Sequence, residues 1–142
     1  MTELNYLAGA NNTIPHQNTI AELLYAFMSK TKSIKAYSKF KILPEIGLNQ
    51  KIPDLIVYKT TNSQYTSIAI FEICISNALK RDIAKCTKLM NSNKTIKEAF
   101  IIDISNEKAI FYKLYRLKNG NASKPKKDSR FNTLKIDLSK II

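Results

Sequence analysis

The chain is poor in the residues that organise small exported or metal-stapled domains. It has two cysteines, three glycines, four prolines, one histidine and no tryptophan. Cys74 and Cys86 are too few for a disulfide framework, are not spaced as a zinc pair, and have no Cys or His cluster to complete one. Both fall at apolar-face positions and are read as reduced, small core residues of a cytoplasmic protein. Neither is a nucleophile candidate, because an apolar setting raises a thiol's pKa. The three glycines form no phosphate-cradling loop. His16, with no second ligand at useful spacing, is read as an incidental loop residue. No apolar run approaches the roughly 20 residues of a membrane-spanning helix. The opening "MTELNYLAGANNT" has an early acid and no basic region ahead of a long apolar core, so no secretory signal and no membrane partner are expected.

What the chain does have is a globular balance, with 44% hydrophobic and 24% charged residues in 142. That predicts one domain over residues 1–142 with a single substantial core. Acids are scarce: 11 Asp and Glu face 23 Lys and Arg, a formal charge of +12. Such a surplus concentrates polyanions near the surface, and phosphate neutralisation by lysine is the usual origin of nucleic-acid affinity.

Along the chain, residues 1–17 lack periodicity and read as a loose arm. Ile20, Leu23, Leu24 and Phe27 recur at helical spacing, with Asn18 or Thr19 as cap, and predict a helix over about residues 18–31. Alternation in "SIKAYSKFKIL" predicts a strand, and "PEIGLNQKIP" a connection. "DLIVYK" and "TSIAIFEICIS" read as a hairpin closed by "TTNSQ". Leu79, Ile83, Cys86 and Met90 then predict an amphipathic helix over residues 77–91. "EAFIIDIS" and "KAIFYKLYRL" form a second hairpin through "NE". Residues 118–130 carry a polar, basic loop, and "FNTLKIDLSKII" reads as a short edge strand. The order defines an α/β domain around a mixed sheet.

Two acids stand out. Asp54 opens one strand after Pro53, and Glu72 interrupts the apolar run "SIAIFEICIS". A lone buried carboxylate is costly and normally has a cation, a metal or several donors for company. Two converging carboxylates with a backbone carbonyl form a hard-oxygen site suited to Mg²⁺, the equipment for metal-assisted phosphodiester hydrolysis.

The stretch "IPDLIVY", the eighteen-residue step from Asp54 to Glu72 in "IFEIC", and the helix in "SNALKRDIAKCTKLM" resemble the restriction-endonuclease-like, PD-(D/E)XK, nuclease superfamily. The resemblance covers roughly residues 18–117. It implies a core of helix, three strands, helix and strand, with extra C-terminal strands, and a Mg²⁺- or Mn²⁺-dependent nuclease acting on nucleic acid, DNA ahead of RNA. Carried over by position, Asp54 and Glu72 match the metal-binding acids and the Ile73 carbonyl the backbone ligand. Glu22 matches the acid many members place on the first helix. The family's catalytic lysine should stand at position 74, where this chain has Cys74, and a thiol cannot replace an ammonium electrostatically. Some branches move that lysine to the following helix, where Lys80, Lys85 and Lys88 are available. Lys88 points away from the sheet on the helical wheel, and Lys85 is the expected replacement. Lys80, Lys118, Lys124, Lys126, Lys127 and Arg130 are the candidate nucleic-acid contacts, with Tyr112 and Tyr115 offering rings to bases if they face outward. The resemblance also allows a homodimer in which two sites address two strands. The alternative is a catalytically degenerate nucleic-acid-binding or protein-docking module of the same fold.

Overall fold

The computed structural model describes residues 13–44 and 52–142. The first helix, α1 (Ile14–Ser33), starts four residues earlier than periodicity predicts. The reason is local. Thr13 adopts an extended cap conformation and its hydroxyl accepts from the His16 N–H at 3.4 Å, while Pro15 sits in the first turn, where a missing N–H costs nothing. Residues 14–17 are therefore helical, and the rest of the expected arm, 1–12, lies outside the described residues.

The strand expected over 33–43 is only its second half. Ile34 caps α1, Lys35–Tyr37 make one 3₁₀ turn, and strand β1 runs Phe40–Pro44. Ala36 and Tyr37 give the stretch its alternation, but neither is buried, so no sheet face stabilises it. Most of the expected connection after β1, residues 45–51, lies outside the described residues. β2 (Leu55–Thr61) and β3 (Gln64–Cys74) form the expected hairpin with a tighter turn. Asn62 and Ser63 take φ of 51° and 66°, the two left-handed positions of a type I′ turn, which suits the strand twist. Helix α2 (Leu79–Ser92) follows, then β4 (Glu98–Asp103) and β5 (Ile110–Tyr115). Their turn is longer than "NE" because Asp103 accepts from the Ser105 N–H at 3.0 Å and bends the chain early.

Two expectations need correction beyond Tyr115. The basic segment is not a free loop: Arg116 bridges to Ala122, and β6 (Lys126–Lys127) pairs with β5. The C-terminal segment adds no strand to the main sheet. Instead β7 (Arg130–Phe131) and β8 (Ile136–Asp137) form their own small hairpin, followed by a 3₁₀ turn over Leu138–Lys140.

The main sheet runs β1-β2-β3-β4-β5-β6, antiparallel except for the parallel β3–β4 pair, which α2 connects. Side chains alternate between faces along each strand. Val57, Ala69, Phe71, Ile73, Phe100 and Ile102 pack with Leu23 and Phe27 of α1. Ile56, Ile70, Cys74, Ala99, Ile101 and Leu114 pack with Cys86 and Met90 of α2. The result is a three-layer, mixed α/β arrangement.

The C-terminal hairpin completes the α1-side core. Phe131 meets Phe71 edge-on with centroids 4.9 Å apart, and Phe71 stacks on Phe100 at 5.3 Å. A buried carboxylate fixes it in place. Glu98 accepts from the Asn132 and Thr133 N–H groups at 2.8 and 3.0 Å and from the Thr133 hydroxyl, and pairs with Lys113 at 2.9 Å.

Candidate functional site

Leu55 pairs with Phe71 across the β2–β3 ladder, so one step beyond it brings Asp54 beside the Glu72–Ile73 end of β3. Pro53 is buried, and its lack of an N–H suits the point where β2 begins. Asp54 Oδ2 accepts from the Ile73 N–H at 2.8 Å, which closes the ladder with a side chain where β2 has run out of backbone. The N–H and C=O of one strand residue point to the same side, so the Ile73 carbonyl also opens toward Asp54, past the end of β2.

Parity along β3 puts Glu72 on the α2 face with Ile70 and Cys74, only 6% exposed. Lys85 reaches down from α2. Its Nζ lies 3.0 Å from Glu72 Oε2 and donates to the Ile52 carbonyl at 3.0 Å. The Glu72 contact is at ion-pair distance, and the Lys85 charge and hydrogen bond oppose the cost of burying the carboxyl.

Two further groups border the carboxylates. His16, read from the sequence as an incidental loop residue, is instead buried on the first turn of α1, with Nε2 3.1 Å from Asp54 Oδ2. A carboxylate only accepts, so Nε2 carries the proton in this contact; Nδ1 is buried without a partner. Asp82, in the first turn of α2, is buried beside the Cys74 thiol. Burial raises its pKa, opposed by Arg81 and Lys85. Sequence reasoning passed over both. Asp82 stands three residues after Leu79 and four before Cys86, on the apolar stripe, which was the available signal. For His16 it was the Thr-x-Pro start of the helix.

Asp54, Glu72 and Asp82 are thus electrostatic neighbours, each with its own partner. His16 lies 3.1 Å from Asp54, Lys85 3.0 Å from Glu72 and Arg81 3.7 Å from Asp82. The consequence is electrostatic: burial, then the Asp54 charge, push the Glu72 carboxyl up to about 8 against the opposing pull of Lys85, and Asp82 adds to the rise. Burial and then Asp82 push the Cys74 thiol up to about 12. Burial, and after it Glu72, hold the Cys86 thiol well above its ordinary value. Both cysteines are fully buried core residues, and Cys74 supplies no positive charge at position 74.

The remaining predicted residues lie elsewhere. Glu22 is exposed, its carboxylate accepting from the Asn18 amide at 3.4 Å. Six residues separate it from His16, which turns it about 120° around the helix from the side facing Asp54. The helix residue brought to Asp54 is His16, not Glu22. Lys80 and Lys88 are exposed on α2. Lys118, Lys124, Lys126, Lys127 and Arg130 are exposed at the opposite edge of the sheet, but Asp128 draws in two of them, Arg130 at 3.3 Å and Lys126 at 3.8 Å. Tyr112 packs against the α2-side core, so its ring does not face outward, whereas Tyr115 is exposed with Lys126 over its ring at 4.8 Å.

No family model matches this chain, and no curated protein matches it.

The donor set can be tested against an ion directly. Among the described residues, no three His, Cys, Asp or Glu side chains converge as a ready-made metal cage. An ion here would rest on Asp54, Glu72 and the Ile73 carbonyl, and take its remaining ligands from water and phosphate. That is how Mg²⁺, which keeps several waters, is commonly held. The close carboxylates, each of which raises the cost of ionising Glu72, are the feature that fits such an occupant.

Proposed function

We propose that the chain is a Mg²⁺- or Mn²⁺-dependent nuclease of the restriction-endonuclease-like kind, hydrolysing phosphodiester bonds in DNA in the cytoplasm. The observation that carries this reading is the approach of Lys85 Nζ to within 3.0 Å of Glu72 Oε2, beside Asp54. A helix lysine thus supplies a cation next to the acid whose strand neighbour two positions on, Cys74, cannot. The order α1, β1–β3, α2, β4, with its single parallel pair between β3 and β4, supports the same reading.

In this reading Asp54, Glu72 and the Ile73 carbonyl hold the ion, which when bound neutralises developing charge and lowers the pKa of a coordinated water. His16 and the Ile73 N–H occupy Asp54 Oδ2 and leave Oδ1 for that task. Lys85 stands ready to meet a phosphate oxygen or the attacking water. The exposed lysines, Lys80 nearest in sequence, receive the phosphodiester backbone.

The test is cleavage of supercoiled plasmid, single-stranded DNA and RNA with Mg²⁺ or Mn²⁺. Activity should disappear in Asp54→Ala and Glu72→Ala and fall about 100-fold or more in Lys85→Ala, in line with loss of an electrostatic stabiliser. Cleavage that survives the double carboxylate variant overturns the proposal. One observation favours the degenerate alternative: Lys85 is already engaged by the Ile52 carbonyl. Nucleic-acid binding that falls steeply with salt, without cleavage under any divalent ion, would select it.

A further inference from the structure

At the edge of the sheet away from β6, nothing among the described residues pairs with the outer side of β1. The Thr60 N–H donates to the Lys39 carbonyl at 2.8 Å, so Lys39 and Thr60 form a bonded pair. Bonded pairs alternate in an antiparallel ladder, so they recur at Lys41–Tyr58 and Leu43–Ile56. The N–H and C=O groups of Phe40 and Ile42 therefore point away from β2, to a side where no described strand pairs with them.

A groove of about 700 Å³ follows that edge. Met28 and Thr31 of α1, with Phe40 and Ile42, line one side; Tyr58 and Tyr65, edge-to-face at 6.4 Å, line the other. Tyr65 is 64% and Leu43 49% exposed, large apolar side chains that the described residues leave uncovered. Among the described residues, the charged ones lining the groove are Lys32 and Lys41, and no described acid lines it. Lys59, opposite Phe40 in the ladder, adds a third cation nearby.

We propose that this edge is a docking site for an extended acidic segment of a partner protein, added to the sheet as a strand alongside β1. The free backbone groups of Phe40 and Ile42 would fix the added strand, the apolar groove would take its alternate side chains, and Lys32 and Lys41 would meet Asp or Glu between them. Pro44 ends β1, so the paired stretch is short. A second copy of this chain is a poor occupant, because edge-to-edge pairing sets the lysines of β1 against one another. A single nucleic-acid strand would use the lysines and Tyr65 but leave the backbone donors and the apolar lining unsatisfied. The surface is separate from the carboxylate cluster, and the proposal stands whether or not that cluster cuts nucleic acid.

The test is fluorescence anisotropy on the full chain with a labelled, end-capped peptide alternating Glu and Val. The same peptide with Lys for Glu, and labelled oligo(dT), serve as comparisons. The Glu peptide should bind at least ~10-fold more tightly than the Lys peptide, and Lys41→Glu and Leu43→Asp should each weaken it ~10-fold at unchanged Tm. Amide exchange at Phe40 and Ile42 should slow when the peptide is bound. Equal binding of the two peptides, no binding at millimolar peptide, or unchanged exchange at Phe40 and Ile42 overturns the proposal. So does oligo(dT) outcompeting the Glu peptide for this face, or a dimer seen by sedimentation that closes the edge.

Discussion

Replacing Glu72 by Gln should make the ion-free protein less sensitive to rising pH. In the folded chain the Glu72 carboxyl titrates at about 8, against an ordinary value of 4.5, because it is buried beside Asp54 and Asp82. Between those two values the folded state holds a proton that the unfolded chain has released. Stability therefore falls as pH rises through the window, and the loss is complete only above the folded value. The limiting slope is about 1.4 kcal/mol per pH unit, so going from about pH 5.5 to 7.5 costs at most ~3 kcal/mol. For a chain of this length that is a fall in Tm on the order of 10 °C. Gln keeps the shape and cannot ionise, so Glu72→Gln should lack this share of the fall. The measurement is thermal unfolding by circular dichroism in EDTA across that range, comparing the two proteins so that every other titrating group cancels. Equal pH dependence in both would mean that Lys85 holds Glu72 ionised throughout, and the electrostatic account of the site would fail.

Lys113→Met should cost about 3 kcal/mol by leaving Glu98 without its buried cation, and should raise amide exchange over residues 129–138 before the rest of the chain, as read by hydrogen-exchange mass spectrometry. Cys74 and Cys86 should react with a thiol reagent only in denaturant at pH 7.5, since both are fully buried and their thiols titrate far above that pH; fast labelling of the native protein would contradict the packing described.

The parts legible in the sequence are those where one local period dominates. β3, α2 and β4 have strong apolar periods and emerged close to their predicted bounds. Asp54, Glu72 and Lys85 stood out because each breaks or borders such a pattern. What stayed hidden depends on partners far along the chain. The C-terminal hairpin is set by Glu98 accepting from backbone groups 34 and 35 residues later, and no window of sequence shows that. His16 gains its role only because β2 ends where α1 begins to pass. The stretch 34–39 failed for the opposite reason, since its alternation meets no neighbouring strand and only Tyr37 packs, in part, against the core.

The hairpin of β7 and β8 also says something about how the chain must be made. Phe131, Leu134 and Leu138 fill the centre of the α1-side core, yet they are synthesised after every strand of the main sheet that they cover. Until they emerge, Phe71 keeps the Phe27 ring of α1 against it, but Phe71 and Phe100 both lack the Phe131 ring that meets them edge-on. Chains ending before residue 131 would therefore leave more of this aromatic cluster exposed than the full chain does.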